Sequence, residues 1–167
     1  MNISIIGYGN MGKALCQGLL TNPNYHLQVA SPSLANAQPA PRLTTHPTNL
    51  AILPDAQILI LAVKPAQMAA VLTEIGPHLT PSLLVISIAA GLDLDWFAKY
   101  LPQQTPLVRA IPNIAAACSQ SATPLLANSW VTAEHHAAGE AMLGQAALGF
   151  AGRIEAGDLV EVHVEHL

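Results

Sequence analysis

The sequence predicts an α/β protein with a doubly wound, mainly parallel sheet and helices on both faces, that is, a three-layer sandwich. Two observations predict this class. Short apolar runs suited to buried strands alternate with segments whose apolar residues recur at helical spacing. The first apolar run leads directly into a glycine-rich turn, which is typical of parallel sheets that bind a ligand at the carboxyl ends of their strands. At 167 residues and 51% apolar content, the chain can bury one full core.

Six strands and four helices follow one another along the chain. The strand candidates are ISII (3–6), HLQVA (26–30), ILILAV (58–63), LLVISI (83–88), PLVRAI (106–111) and ATPLLA (122–127). Helical patterns occupy 11–21, 65–76, 93–101 and 132–148, the last with Thr132 as a candidate N-cap. Residues 31–54 contain five prolines and are predicted to be a loop-dominated crossover. The alternating valines of 160–165 indicate a half-exposed strand or a tail.

Composition and charge argue against several classes of protein. The net charge is −4 and the six basic residues are scattered singly, which predicts no nucleic-acid partner. The apolar runs are short and broken by prolines, so we expect no membrane insertion. Cys16 and Cys118 lie far apart and favour buried thiols in a reducing cytoplasm. The histidines, including His135 and His136, are interpreted as structural or solvated, and no metal site is predicted.

The most informative segment is ISIIGYGNMG, from Ile3 to Gly12. Gly7 allows a tight turn out of the strand, and Gly9 removes a side chain that would keep a diphosphate from the backbone. Gly12 allows the following helix to pack close to the sheet. The free N–H groups and the dipole of that helix would then hold the anion. This spacing predicts a dinucleotide-binding turn, and a purely structural glycine turn is the alternative.

The end of the second strand predicts which dinucleotide is bound. NAD-binding folds usually place a carboxylate there for the adenosine ribose, whereas the first carboxylate of this chain is Asp55. Ser31 and Ser33 can instead donate hydrogen bonds to a 2'-phosphate, which favours NADP. The alternative is that Ser31-Pro32-Ser33 forms only a turn. Arg42 would also reach the phosphate if its loop folds back.

Further residues follow the later strands, at the same predicted edge of the sheet. Pro65 is suited to the first position of a helix, and it leaves Lys64 where a phosphate or ribose would pass, although a solvated lysine is the alternative. Small residues after the next strand permit a flat ring to lie against the backbone. The segment RAIPN then presents an amide side chain. The candidates are Ala62, Val63, Lys64, Pro65, Ala89, Ala90, Gly91, Pro112 and Asn113.

Taken in order, GYGNMG, AVKPAQM, SIAAGL and RAIPN resemble the motifs of pyrroline-5-carboxylate reductase, the NADPH-dependent enzyme that makes proline. The resemblance runs from Met1 to about Gly152. It implies a Rossmann-type NADP(H)-binding domain over 1–152, with 153–167 as a C-terminal tail or strand. It also implies which residues line the cofactor: Asn10, Met11, Ser31, Asn49, Ala62 to Pro65 and Ala89 to Gly91, with Pro112 and Asn113 near the nicotinamide.

The chain departs from the family pattern at three places. Ala110-Ile111 replaces the more usual Val-Met or similar pair, which is a mild change. Ile114 stands where the family usually has threonine, and nothing in the chain matches the Ser-Gly-Ser-Gly-Pro-Ala-Tyr type motif of the family's helical substrate and dimerisation domain. We therefore expect a cofactor-binding part that is incomplete for catalysis alone. Its partner would be a small imine substrate, and self-association through the C-terminal end is a further hypothesis. A non-catalytic NADP-binding module and another imine or F420-type reductase are the alternatives.

Overall fold

A computed structural model describes residues 1–32, 41–110, 125–145 and 155–156. Its strands are β1 (Asn2–Ile6), β2 (His26–Ala30), β3 (Leu43–His46), β4 (Ile58–Leu61), β5 (Leu84–Ser87), β6 (Leu107–Ala110), β7 (Leu125–Ala127) and β8 (Glu155–Ala156). They form one sheet in the order β3-β2-β1-β4-β5-β6-β7-β8. Every neighbouring pair is parallel except β6 and β7. The predicted mainly parallel sheet is therefore confirmed.

Helices cover both faces of this sheet. They are α1 (Asn10–Leu19), α2 (Pro65–Ile75), α3 (Leu94–Ala98) and α4 (Ala133–Gln145). Leu15 of α1 and Met142 of α4 belong to the core on one face, whereas Met68 of α2 and Phe97 of α3 belong to the core on the other. Because the chain winds to both faces from the central pair β1 and β4, a ligand crevice is expected at the carboxyl ends of these strands.

The structure corrects the prediction for residues 31–54. β3 and a 3-10 turn at Leu50–Ile52 lie in this segment, which the prolines had led us to assign to a loop-dominated crossover. β3 is an edge strand of four residues that pairs with β2, and only Leu43 of it is buried. Such a strand shows too little alternation to be recognised between prolines. The third predicted strand, which is β4 in the structure, also ends earlier, at Leu61 rather than Val63.

The helix signals are confirmed more closely. Pro65 occupies the first turn of α2. Thr132 accepts a hydrogen bond from the N–H of His135 on its hydroxyl oxygen (3.3 Å), while its own N–H donates to Nδ1 of His135 (3.2 Å). This reciprocal arrangement caps α4 and gives His135 a structural role. Residues 122–124, 146–148 and 160–165 of the predicted elements lie outside the described residues.

Cys16 is a buried thiol on α1, as the sequence predicted. Burial raises its pKa to about 12, so the reactive thiolate is strongly disfavoured. Cys118 lies outside the described residues. Among the residues that the structure describes, no helix combines the length and apolar character needed to cross a bilayer.

Candidate dinucleotide site

The turn after β1 is shaped by two glycines that no other residue could replace without strain. Gly7 has a φ of +105°, and a Cβ placed on it would lie 2.5 Å from the carbonyl oxygen of Ala62. A Cβ on Gly12 would overlap the carbonyl oxygen of Gly7. The N–H of Gly7 donates to the carbonyl of Ala30 at 2.9 Å, which anchors the turn to β2. The roles predicted for Gly7 and Gly12, a tight turn and a close helix, therefore match the geometry.

Gly9 differs from both of these glycines. Its φ is −72°, and a Cβ built on it would meet no atom of the described residues within 4 Å. It is the N-cap of α1 and has no side chain to cap the helix. The first N–H groups of a helix have no intrahelical partner, and here they belong to Asn10, Met11 and Gly12. With no acidic residue in the first turn of α1, this end of the helix favours an anion.

Two further residues of the turn were not singled out from the sequence. The ammonium nitrogen of Lys13 lies 5.6 Å from the centroid of the Tyr8 ring, which holds a positive charge near the turn. Burial, and to a lesser extent the Cys16 thiol, raises the pKa of the Tyr8 phenol. The phenol is thus kept neutral at physiological pH. The spacing of Lys13, one helical turn after Gly9, is the sequence feature that could have identified it.

The loop after β4 packs directly against the glycine turn. The N–H of Ala62 donates to the carbonyl of Ile6 at 2.8 Å, and Val63 contributes its Cγ1 atom 3.1 Å from where a Cβ on Gly7 would stand. Lys64 is exposed and is the N-cap of α2, with Pro65 after it. The structure therefore brings Ala62 and Val63 together with Gly7, and Lys64 and Pro65 follow them in the chain.

The loop after β5 is the next one along the same edge, because Leu61 and Ser87 are register partners. The N–H of Ala89 donates to the hydroxyl of Ser87 at 3.3 Å, and Ala89 is buried. Ala90 and Gly91 are exposed, and Gly91 has a φ of +78°. Ala90 and Gly91 therefore leave the backbone of this loop accessible at the edge of the sheet.

Arg109 lies on β6 opposite Ser87 and close to the carboxyl edge. Its Nε atom is buried and has no hydrogen-bond partner in the described part of the chain. Burial lowers the pKa of its guanidinium, and Asp93 opposes this effect. Pro112 and Asn113, which follow it in the sequence, lie outside the described residues, as does Ser33.

Ser31 follows β2 at the same edge and is 9% exposed. Its N–H donates to the carbonyl of His46 at 3.2 Å, so the ends of β2 and β3 are held together. His46 was not singled out from the sequence, because it lies in the segment where β3 was not recognised.

Two other candidates have contacts elsewhere in the fold. The guanidinium of Arg42 donates to the carbonyls of Leu20 (2.8 Å), Asn22 (2.6 Å) and Tyr25 (3.3 Å), at the far end of α1 from the glycine turn. The hypothesis that its loop folds back to a phosphate is therefore wrong, since Arg42 precedes β3 and lies at the amino edge.

The side-chain amide of Asn49 donates to Glu74 at 2.7 Å, in the last turn of α2. The structure thus places this amide away from Lys64 and Pro65, which begin the same helix. In the described ranges, no group of three or more histidine, cysteine or acidic residues is arranged to hold a metal ion.

A doubly wound parallel sheet with an open glycine turn at its central strand defines a dinucleotide-binding domain of the Rossmann type. The family described as NADP oxidoreductase, coenzyme F420-dependent, matches residues 2–91, and the chain belongs to this family. The match covers β1 to β5 and therefore both the glycine turn and the loops after β4 and β5.

Curated relatives confirm the resemblance that the four motifs indicated. The chain is 37% identical over 138 residues to the pyrroline-5-carboxylate reductase of Methanosarcina acetivorans and 35% identical over 138 residues to that of Escherichia coli. Each alignment covers 79% of this chain and 51% of the relative. The chain therefore spans about half the length of these curated relatives.

Solved structures agree on the fold. The pyrroline-5-carboxylate reductase of Coxiella burnetii has a TM-score of 0.78 and 28% identity, with 94% of this chain and 58% of that one covered. The pyrroline carboxylate reductase of Plasmodium falciparum, solved with NADP bound, has a TM-score of 0.76 at 22% identity, with 95% of this chain and 58% of that one covered.

Proposed function

We propose that this chain is the NADP(H)-binding part of a pyrroline-5-carboxylate reductase type enzyme, with residues 1–152 forming the cofactor domain. One observation carries the proposal. The turn before α1 is closed to a side chain at Gly7 and Gly12 but open at Gly9, directly before the N-terminal N–H groups of the helix. The free space at Gly9 would let a diphosphate approach the backbone N–H groups, while the close contacts at Gly7 and Gly12 hold the turn and the helix in place.

The remaining residues of the edge are assigned by their position relative to this turn. Ala62 and Val63 pack against Gly7 and would support the diphosphate, and Lys64 would add a cation to the same edge. Ala89, Ala90 and Gly91 would line the flat nicotinamide end, with Pro112 and Asn113 next to it. When bound, NADPH supplies the hydride that reduces a carbon–nitrogen double bond. The protein's part is to hold and orient the coenzyme.

The relatives support the substrate class in this proposal. They are named pyrroline-5-carboxylate reductase and match well beyond residue 91, where the family match ends. This favours 1-pyrroline-5-carboxylate and a role in proline biosynthesis over another imine or F420-type reductase. We also propose a cytoplasmic location and self-association through the C-terminal end.

Titration calorimetry tests the choice of cofactor. We expect NADPH to bind more than tenfold more tightly than NADH, a difference of at least about 1.4 kcal/mol. The reason is that no carboxylate precedes Asp55 to repel a 2'-phosphate or to select an unmodified ribose. Equal dissociation constants for the two coenzymes would contradict the proposal.

A turnover assay separates the catalytic and the non-catalytic form of the proposal. The purified 167-residue chain, given NADPH and 1-pyrroline-5-carboxylate, is expected to show little or no loss of absorbance at the NADPH wavelength, because none of its segments matches the family's substrate-binding motif. A turnover on the order of 10 per second, ordinary for enzymes, would show that this chain suffices for catalysis.

A further inference from the structure

We propose that His46 selects NADP(H) over NAD(H) by donating a hydrogen bond to the adenosine 2'-phosphate, beside Ser31. This inference rests on the proposed NADP(H) function and adds to it a residue that lies outside the four recognised motifs. It follows from the register of two neighbouring strands and from the positions of the other basic side chains in this part of the chain.

The register places His46 beside the predicted ribose site. β2 and β3 are parallel, and His46 is the partner of Ala30, the last residue of β2. The carbonyl of His46 accepts the N–H of Ser31 at 3.2 Å, so the two residues are adjacent at the carboxyl edge. Neighbouring strands lie about 4.8 Å apart, a gap that an imidazole side chain can span. His46 is only half-buried and is therefore accessible to a ligand.

The sequence around this position offers few other basic side chains. Between Ser31 and Pro54 the sequence contains two basic side chains, Arg42 and His46. Arg42 donates to three backbone carbonyls at the amino edge of the sheet and is directed away from the site. The segment 31–54 contains no carboxylate that would compete for the imidazole. His46 is therefore the basic side chain of this segment that lies at the ligand edge.

The hydrogen-bonding capacity of imidazole explains why His46 would favour NADPH over NADH. An imidazole donates at least one ring N–H in either protonation state, and a phosphate accepts it as a charge-assisted hydrogen bond. NADH has a hydroxyl at this position and gains much less from the same donor. His46 should therefore affect binding of the phosphorylated coenzyme and leave binding of the other almost unchanged.

The variant His46→Gln tests this with binding alone. We expect the dissociation constant of NADPH to rise about tenfold, a typical effect for a lost hydrogen bond to a charged group, and that of NADH to change less than about twofold. The fragment 2',5'-ADP, compared with 5'-AMP, should show the same difference without the nicotinamide half. His26→Gln is the matched control, because His26 is exposed at the opposite end of β2.

Each outcome has a separate meaning. A selective loss of NADPH and 2',5'-ADP affinity in His46→Gln, absent in His26→Gln, supports the inference. An unchanged ratio of NADPH to NADH affinity in His46→Gln overturns it, even where the wild type prefers NADPH. A wild-type chain that binds neither coenzyme overturns the proposed function itself. Matching unfolding curves for the two variants and the wild type establish that the comparison concerns the ligand site.

Discussion

Replacing Gly7 by alanine is expected to lower the free energy of unfolding by about 3 kcal/mol or more, the range of a backbone clash combined with a strained φ. At φ +105° an alanine is strained, and its Cβ would lie 2.5 Å from the carbonyl oxygen of Ala62. Neither residue can easily move away, because the N–H of Ala62 donates a hydrogen bond to the carbonyl of Ile6 and the N–H of Gly7 donates one to the carbonyl of Ala30. Urea unfolding followed by circular dichroism measures the effect, and NADPH binding should be lost with it.

Gly91→Ala is the control for this experiment, because it separates strain from collision. Gly91 also has a positive φ, +78°, yet a Cβ on it would meet nothing within 4 Å in the described ranges of the chain. Strain alone should lower its stability by about 1 kcal/mol. If Gly7→Ala proves as stable as Gly91→Ala, the close contact between the glycine turn and the loop after β4 is wrong.

The central strands β4 and β5 were predictable because each is buried on both faces and lies in a run of almost entirely apolar residues. All four residues of β4 and of β5 are buried, and each strand has neighbours on both sides. β3 lacks this signal, since an edge strand with a single buried side chain can form from almost any short segment. Its existence depends on pairing with β2, which is a tertiary contact that local pattern does not contain.

In the candidate site, too, some features were predictable from the sequence and others depended on tertiary contacts. The glycine turn was predictable because its requirements are local: a φ that only glycine adopts readily, and a helix that begins at a fixed spacing. The position of Arg42 was not predictable from the sequence, because it depends on β3 starting at Leu43. This start places the guanidinium at the amino edge of the sheet. His46 was missed for the same reason, because its backbone hydrogen bond with Ser31 forms only when β3 is paired with β2.

Replacing Gly9 by alanine, unlike Gly7→Ala, should leave folding intact while it weakens NADPH binding. The φ of −72° suits L-residues in general, and the added methyl group meets no atom within 4 Å among the residues that the structure describes. Alanine is a poorer N-cap than glycine, which lowers the free energy of unfolding by several tenths of a kcal/mol. Alanine also reduces the conformational entropy of the unfolded chain, which raises the free energy of unfolding by about 0.4–1 kcal/mol. These effects oppose each other, so the free energy of unfolding should change by less than about 0.5 kcal/mol.

The NADPH affinity of Gly9→Ala should nevertheless fall by at least about tenfold, or about 1.4 kcal/mol. The methyl group would occupy the space in front of the N–H groups of Asn10 and Met11, so the diphosphate could no longer approach them. A larger side chain, as in Gly9→Val, should weaken binding further at similar stability. Titration calorimetry and urea unfolding on the same protein samples measure both quantities. A Gly9→Ala chain that binds NADPH like the wild type would mean that this open space does not receive the diphosphate, because no contact within the described part of the chain requires a glycine there.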